Sequence, residues 1–318
     1  MLKFNQLTPE MTDAFDFLAL VSNMETRPTK TGKDYLQFDL VSKEGVISGK
    51  KWTITPADKE IKNGTVVQAT GTINMWQGSM SIIIKEWKAV EIDPTEFQLT
   101  AIEKFDLIKQ EFEDYIKTLR NPGCIALVDM VLNIPEVQER FFKWPAAKAN
   151  HHAEENGLLY HTTRMLRAAD ALMPVYNHGG KNVLNRDIVM TGIILHDIGK
   201  CYELEPDDSG AGHYTKYALL GHIPLGFAEI VKAHERELID DEMYIVLGNV
   251  VLGHHGQLEY GSPVKPATAD AILVSYIDNL DATLMAYETE CLRLQPGERA
   301  EKTNMSVGTP AYKPLPLE

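Results

Sequence analysis

All ten histidines of the 318-residue chain fall between His151 and His255. The informative text is His161 in GLLYHTTRML, the adjacent pair His196-Asp197 in ILHDIGK, His222 in LLGHIPLG, the pair His254-His255 in LGHHGQ, and Asp278 in YIDNLDA. Imidazole nitrogens and carboxylate oxygens suit borderline and hard divalent cations such as Mn²⁺, Fe²⁺, Zn²⁺ or Mg²⁺. The three cysteines, Cys124, Cys201 and Cys291, are too far apart for a C-x-x-C pair, and their odd number argues against a disulfide framework. The chemistry expected is therefore that of a catalytic metal site, not of a structural zinc knuckle. On an ideal helix His196 and Asp197 would point roughly 100° apart, so they share a cation only in a common cavity to which other helices bring further ligands.

The elements that must supply those ligands follow from the periodicity. From Phe17 to Ile92 apolar and polar residues alternate in five short runs, FLALVSN, YLQFDLVS, VISGKKWTI, TVVQATGTINMW and MSIIIKEWKAVEI, separated by Gly-, Asn- and Asp-containing turns. A short helical stretch over Pro56–Ile61 falls between the third and fourth runs. Five strands with a helix in that place is the order of an OB-fold barrel, whose surface binds single-stranded nucleic acid in many proteins. Near Asp93-Pro94 the period changes, and Ile102, Phe105, Ile108, Phe112, Ile116 and Leu119 fall on one helical face. Further helices are expected over His151–Leu172, Asn185–Ile198, Leu220–His234, Asp240–Leu252 and Ala267–Leu294, with no strand among them. The fold expected is thus multi-domain: an N-terminal five-stranded OB-fold β-barrel (1–92), a helical linker region (93–144), an all-α helical bundle (145–294) and an irregular, Pro- and Gly-rich tail (295–318).

Charge is unevenly placed. The chain carries 31 Lys+Arg against 45 Asp+Glu, a formal net charge of −14, whereas Met1 to Ile92 holds 11 of each, so the whole excess lies in the helical part. A broad non-specific nucleic-acid surface is excluded by that balance, but metals in the site would offset part of its negative charge. Glu10, Asp13 and Asp16 interrupt any signal-like run, and no window has about 18 consecutive apolar residues. A cytoplasmic protein without a membrane partner is expected. The helix over 99–119 is expected to pack between domains or between subunits, which leaves homo-oligomers open.

The order His…His-Asp…His…His…Asp, with LHDIGK intact and an aspartate in a downstream helix, resembles the HD-domain phosphohydrolases. The stretch PAAKANHHAEENGLLYHT (145–162), LGHI (220–223), LGHHG (252–256), Gly261-Ser262-Pro263, YIDNLDA (276–282) and the tail's Tyr312-Lys313-Pro314 resemble the YhaM family of 3′-5′ exoribonucleases, which joins an OB domain to an HD domain. The resemblance implies that His161, His196, Asp197 and Asp278 hold one metal, with Asp197 bridging to a second held by His222 and by His254, His255 or both. It implies metal-dependent 3′-5′ hydrolysis of single-stranded RNA, with single-stranded DNA as a second substrate, to nucleoside 5′-monophosphates. Two ions about 3.5–4 Å apart are the expected cofactor, Mn²⁺ first and Mg²⁺, Fe²⁺ or Co²⁺ as alternatives.

Several side chains are candidates for substrate contact. Lys200, one turn past His196, would meet the scissile phosphate, and His152 would lie behind the ligands. In the barrel, Tyr35, Trp52 and Trp76 offer faces for stacking bases and Lys51 a charge for phosphate. His178, His213 and His234 read as solvated. Two other functions remain open from the sequence: an HD phosphohydrolase of free or cyclic nucleotides with a regulatory barrel, and a non-catalytic nucleic-acid-binding protein.

Overall fold

The alternating runs fold as five strands, β1 (Phe15–Pro28), β2 (Asp34–Ser42), β3 (Gly45–Lys51), β4 (Val66–Trp76) and β5 (Ser79–Ala89). The computed structural model describes residues 1–29, 31–43, 45–76, 79–97, 105–144, 156–206, 212–291, 294, 296–301, 303–304 and 306–316. β1 pairs antiparallel with β2 and β4, β2 with β3, and β4 with β5, while β3 meets β5 in parallel. The result is a closed barrel in the order β1-β2-β3-β5-β4, which removes every sheet edge. Period-2 alternation sends Phe17, Phe38, Leu40 and Ile82 into a fully buried interior. The segment between β3 and β4 is a 3₁₀ turn, Pro56–Glu60, where the sequence predicts a helix. Asp58 in this turn accepts hydrogen bonds from Thr55 N (2.6 Å) and Trp87 Nε1 (2.5 Å), fastening it to β5.

The helical part comprises α1 (Phe105–Lys117), α2 (Pro122–Leu132), α3 (Pro135–Phe141), α4 (Gly157–Tyr176), α5 (Arg186–Leu195), the single turn α6 (Lys200–Glu203), α7 (His222–Glu235), α8 (Asp241–Gly253) and α9 (Ala269–Cys291). Their starts are written locally. The side chains of Asn121, Asn185 and Asp240 each accept hydrogen bonds from backbone N–H groups of the first turn, and Pro122 and Pro135 occupy first helical positions where no donor is lost. α1 to α9 contribute to one core in which Leu158, Met165, Ile193, Ile230, Val250 and Val274 are fully buried.

One expectation is corrected. The helical region is interrupted by a small antiparallel pair, β6 (Leu204–Pro206) with β7 (Gly212–Tyr214). Strands of three residues, the first ending in Pro206, carry too little alternation to register in a periodicity scan. The described part of the tail is tethered: Lys313 Nζ donates to the carbonyls of Cys291 (2.9 Å) and Leu294 (2.8 Å), satisfying the end of α9. The described residues of Met1–Thr100 and Ala286–Glu318 form one compact unit, and those of Ala101–Pro206 and Ala211–Met285 the other. No helix among the described residues is long and apolar enough to cross a membrane.

Candidate metal centre

Five helices or helix ends of the second unit bring the HD-type residues together. His161 comes from the second turn of α4, and His196 and Asp197 from the turn that leaves α5. His222 opens α7, His254 and His255 follow α8, and Asp278 lies mid-way along α9. His161 Nε2 lies 3.3 Å from His196 Nε2, 3.2 Å from Asp278 Oδ1 and 3.7 Å from Asp197 Oδ2. On the other side of the same carboxylate, Asp197 Oδ1 faces His222 Nε2 at 3.5 Å and His254 Nε2 at 3.7 Å. Two groups emerge, His161/His196/Asp197 and His222/His254/His255, each with ligand atoms within 4.8 Å of one another. Asp197 presents one oxygen to each.

The five imidazoles share an orientation. His196, His254 and His255 donate from Nδ1 to the carbonyls of Ile193 (2.7 Å), Val251 (2.7 Å) and Tyr260 (2.9 Å). His161 and His222 donate from Nδ1 to the carboxylates of Asp281 (2.8 Å) and Glu203 (2.9 Å). A carbonyl only accepts, so Nδ1 carries a proton, and in the neutral ring Nε2 is the atom that offers a lone pair. The buried atoms Asp197 Oδ1, His222 Nε2 and His254 Nε2 have no hydrogen-bond partner among the described residues. Acceptors converging without a donor are costly unless a cation takes them, so this donor set fits divalent metal ions.

Electrostatics point the same way. Burial opposes the charge of Asp197, but Lys200 and His196 hold its carboxyl well below the usual range. Burial, reinforced by the neighbouring His196 and His255, pushes His254 far down and keeps it neutral. Burial alone would lower His161 too, but hydrogen bonds to Asp278 and Asp281 outweigh it and raise this group to about 9. His161, His196, Asp197 and His254 are almost completely buried, whereas Asp278, His222 and Lys200 retain 16%, 14% and 13% of side-chain exposure, and these mark the side open to solvent.

Comparison with known proteins decides the family. Residues 158–283 match the HD domain. A 3′-5′ exoribonuclease YhaM of Geobacillus sp. (strain WCH70) is 34% identical over 313 residues, 96% of this chain and 94% of that protein. The chain belongs to the YhaM family. It is accordingly an enzyme, a metal-dependent hydrolase of the exonuclease class. Among solved structures, similarity extends to a replication protein A heterotrimer bound to ssDNA (25% identity, TM-score 0.22, 26% of this chain and 62% of that one). A second is the second OB-fold domain of replication protein A from Methanococcus maripaludis (19% identity, TM-score 0.23, 29% and 96%). The barrel assignment of this YhaM-family chain rests on its own strand order.

Of the side chains singled out from the sequence, the structure assembles His161, His196, Asp197, His222, His254, His255 and Asp278, and Lys200 joins them with Nζ 2.6 Å from Asp197 Oδ2. His152 lies outside the described residues. In the barrel, Tyr35 and Trp52 lie against each other with ring centroids 4.8 Å apart and planes tilted by 33°, Lys50 Nζ sits 5.8 Å from the centre of the Trp52 ring, and Trp52 is 46% exposed. Trp76 is the last residue of β4. Lys51 requires correction as a phosphate contact: its side chain is buried, Nζ donates to the Lys85 carbonyl at 3.0 Å and faces Asp58 at 3.9 Å. Alternation along β3 turns Lys50 outward and Lys51 inward. Two residues escaped notice, Asp281 and Glu203. Asp281 also accepts from Arg164 Nε at 2.6 Å, and its position three residues after Asp278 on one helix was the available signal. Glu203 had none, because only the fold brings it to His222.

Proposed function

We propose that this YhaM-family enzyme is a 3′-5′ exoribonuclease that degrades single-stranded RNA, and single-stranded DNA as a second substrate, to nucleoside 5′-monophosphates. The observation that carries the proposal is Asp197, whose two carboxylate oxygens face different histidine groups while Oδ1 and the Nε2 atoms of His222 and His254 have no hydrogen-bond partner among the described residues. On this reading His161, His196, Asp197 and Asp278 hold one cation, and Asp197, His222, His254 and His255 a second, with Mn²⁺ as the preferred metal. When bound, such ions polarise a phosphodiester oxygen and lower the pKa of water to near neutrality.

The chain's own residues do the rest. Asp281 and Glu203 hold His161 and His222 in the tautomer that leaves Nε2 bare. Lys200 brings a mobile positive charge to the open side, where a non-bridging phosphate oxygen meets it. Tyr35 and Trp52 give unpaired bases a stacking surface, with Trp76 as a third face, and Lys50 beside Trp52 adds charge for phosphate. A barrel with balanced charge grips the strand weakly enough to let it move.

A time course on a 5′-labelled single-stranded RNA, with Mn²⁺, Mg²⁺ or chelator and with Asp197→Ala as control, tests the proposal. A ladder shortening from the 3′ end that needs both metal and Asp197, with nucleoside 5′-monophosphates as products, is expected. Intact RNA under every metal, from folded and metal-loaded protein, would overturn it.

A further inference from the structure

None of the metal-centre side chains lines a second cavity, of about 540 Å³, whose walls come from α2, α3, α6, α7 and the 3₁₀ turn Lys216–Leu219. Its volume is in the range of small-molecule sites, about 300–1,000 Å³. Glu229 of α7 is the deep element of this wall, only 3% exposed. Its Oε1 accepts from Tyr202 OH (3.2 Å) and Lys232 Nζ (2.8 Å), but its Oε2 is buried without a partner among the described residues. The outer wall has the opposite character. Arg236 is exposed and makes no ion pair among the described residues, Lys232 is half exposed, and Arg140 spends one N–H on the Cys201 carbonyl (3.0 Å) while lying 4.5 Å above the Trp144 ring. Tyr202, Tyr217 and the carboxylate of Glu136 also line the cavity.

A simple anion would satisfy the arginines and leave the buried carboxylate oxygen without a donor. A simple amine would do the reverse. Both are met by one molecule with an N–H donor at one end, an anion at the other and a flat ring between. We infer that this cavity binds a mononucleotide with an amino-bearing base, the exocyclic N–H donating to Glu229 Oε2, the ring lying against Tyr217, and the phosphate held by Arg236 and Arg140, while Lys232 stays paired with Glu229 Oε1. Adenine, cytosine and guanine carry that amino group; uracil presents a carbonyl in its place, which would face the carboxylate with like partial charge.

Binding of AMP, CMP, GMP and UMP to the full-length protein, by calorimetry in chelator so that no turnover occurs, tests the inference apart from the proposed reaction, with adenosine and inorganic phosphate as half-ligands. The three amino-bearing nucleotides are expected to bind about tenfold more tightly than UMP, and each half-ligand more weakly than AMP. Arg236→Ala, at an exposed position, should weaken all four nucleotides alike. Glu229→Gln should abolish the preference over UMP, since an amide offers both donor and acceptor. No binding of any nucleotide up to about 5 mM, or affinities unchanged in Arg236→Ala, would overturn the site. Equal affinity for UMP in the unmodified protein would overturn the role of Glu229, and this outcome is readable even if Glu229→Gln fails to fold.

Discussion

Gly199, in the turn between His196-Asp197 and α6, has φ −62° and ψ −20°, a conformation open to every residue, so its backbone angles impose no need for glycine. The requirement comes from space. A Cβ at this position would overlap the His222 carbonyl oxygen, lying 2.7 Å from the His222 carbonyl carbon and 2.8 Å from Gly226 N. All three atoms are backbone, so no rotamer change relieves the clash. Contact at the optimal separation of about 3.5–4.0 Å requires the start of α7 to retreat by about 1.5 Å or more, the His222 carbonyl oxygen setting the distance, and His222 travels with it. His222 Nε2 stands 3.5 Å from Asp197 Oδ1, and metal-ligand distances tolerate only about 0.2 Å. Gly199→Ala is therefore expected to lower kcat/KM on single-stranded RNA by about 10²-fold, and to lower Tm by about 2–12 °C for an overpacking cost of about 1–3 kcal/mol. Gly226→Ala is the matched control: its Cβ would meet Gly199 N and Ile198 Cγ2 at 3.4 Å, an ordinary contact. Initial rates, thermal melts and the metal content of both variants form the assay. A fully active Gly199→Ala enzyme of unchanged Tm, or a Gly226→Ala enzyme equally impaired, would refute the reasoning.

Asp281→Asn and Glu203→Gln should each weaken metal affinity or activity by about 10–100-fold, because the charged, acceptor-only partner of Nδ1–H is replaced by a neutral amide that can also present a donor; metal titration with intact folding checked by circular dichroism reads this, and unaltered affinity in both would sink it. His161, raised to about 9 in the absence of metal, is protonated at pH 7.5 and must give up its Nε2 proton to a cation. Metal uptake should then release about one proton, seen as a dependence of calorimetric enthalpy on buffer ionisation, and apparent affinity should rise with pH until about 9; a buffer-independent enthalpy contradicts this. Trp52→Ala should weaken RNA binding by about 1–3 kcal/mol, appearing in KM more than in kcat. Lys51→Ala should instead destabilise the barrel by about 1–3 kcal/mol through loss of its buried bonds to Lys85 and Asp58, and a Lys51→Ala protein of normal Tm but impaired RNA binding would reverse that assignment.

Legibility in the sequence followed the range of the interactions involved. The barrel was readable because alternation is a nearest-neighbour property, and the positions of Phe17, Phe38 and Ile82 in its interior repeat it directly. The starts of α5 and α8 were readable because Asn185 and Asp240 act on N–H groups two or three residues away. The types of the centre's side chains were equally plain: imidazoles and carboxylates in the HD order specify a cation whatever the surrounding fold. The pairing of Leu204–Pro206 with Gly212–Tyr214 was invisible because three residues span less than two periods of alternation.

What only the tertiary structure decided is how those side chains face one another. His161 and Asp281 are 120 residues apart and His222 and Glu203 are 19 apart, on different elements in each case. No local spacing announces that a given carboxylate will take a given Nδ1–H. The same holds for Asp197, whose two oxygens serve two groups only because α4, α5, α7, α8 and α9 converge, and for Gly199, whose side-chain hydrogen is what lets α7 approach. Ligand chemistry is a property of residue type and is written one residue at a time. Ligand geometry is a property of helix packing, set by contacts across the core, and it exists only once the chain has folded.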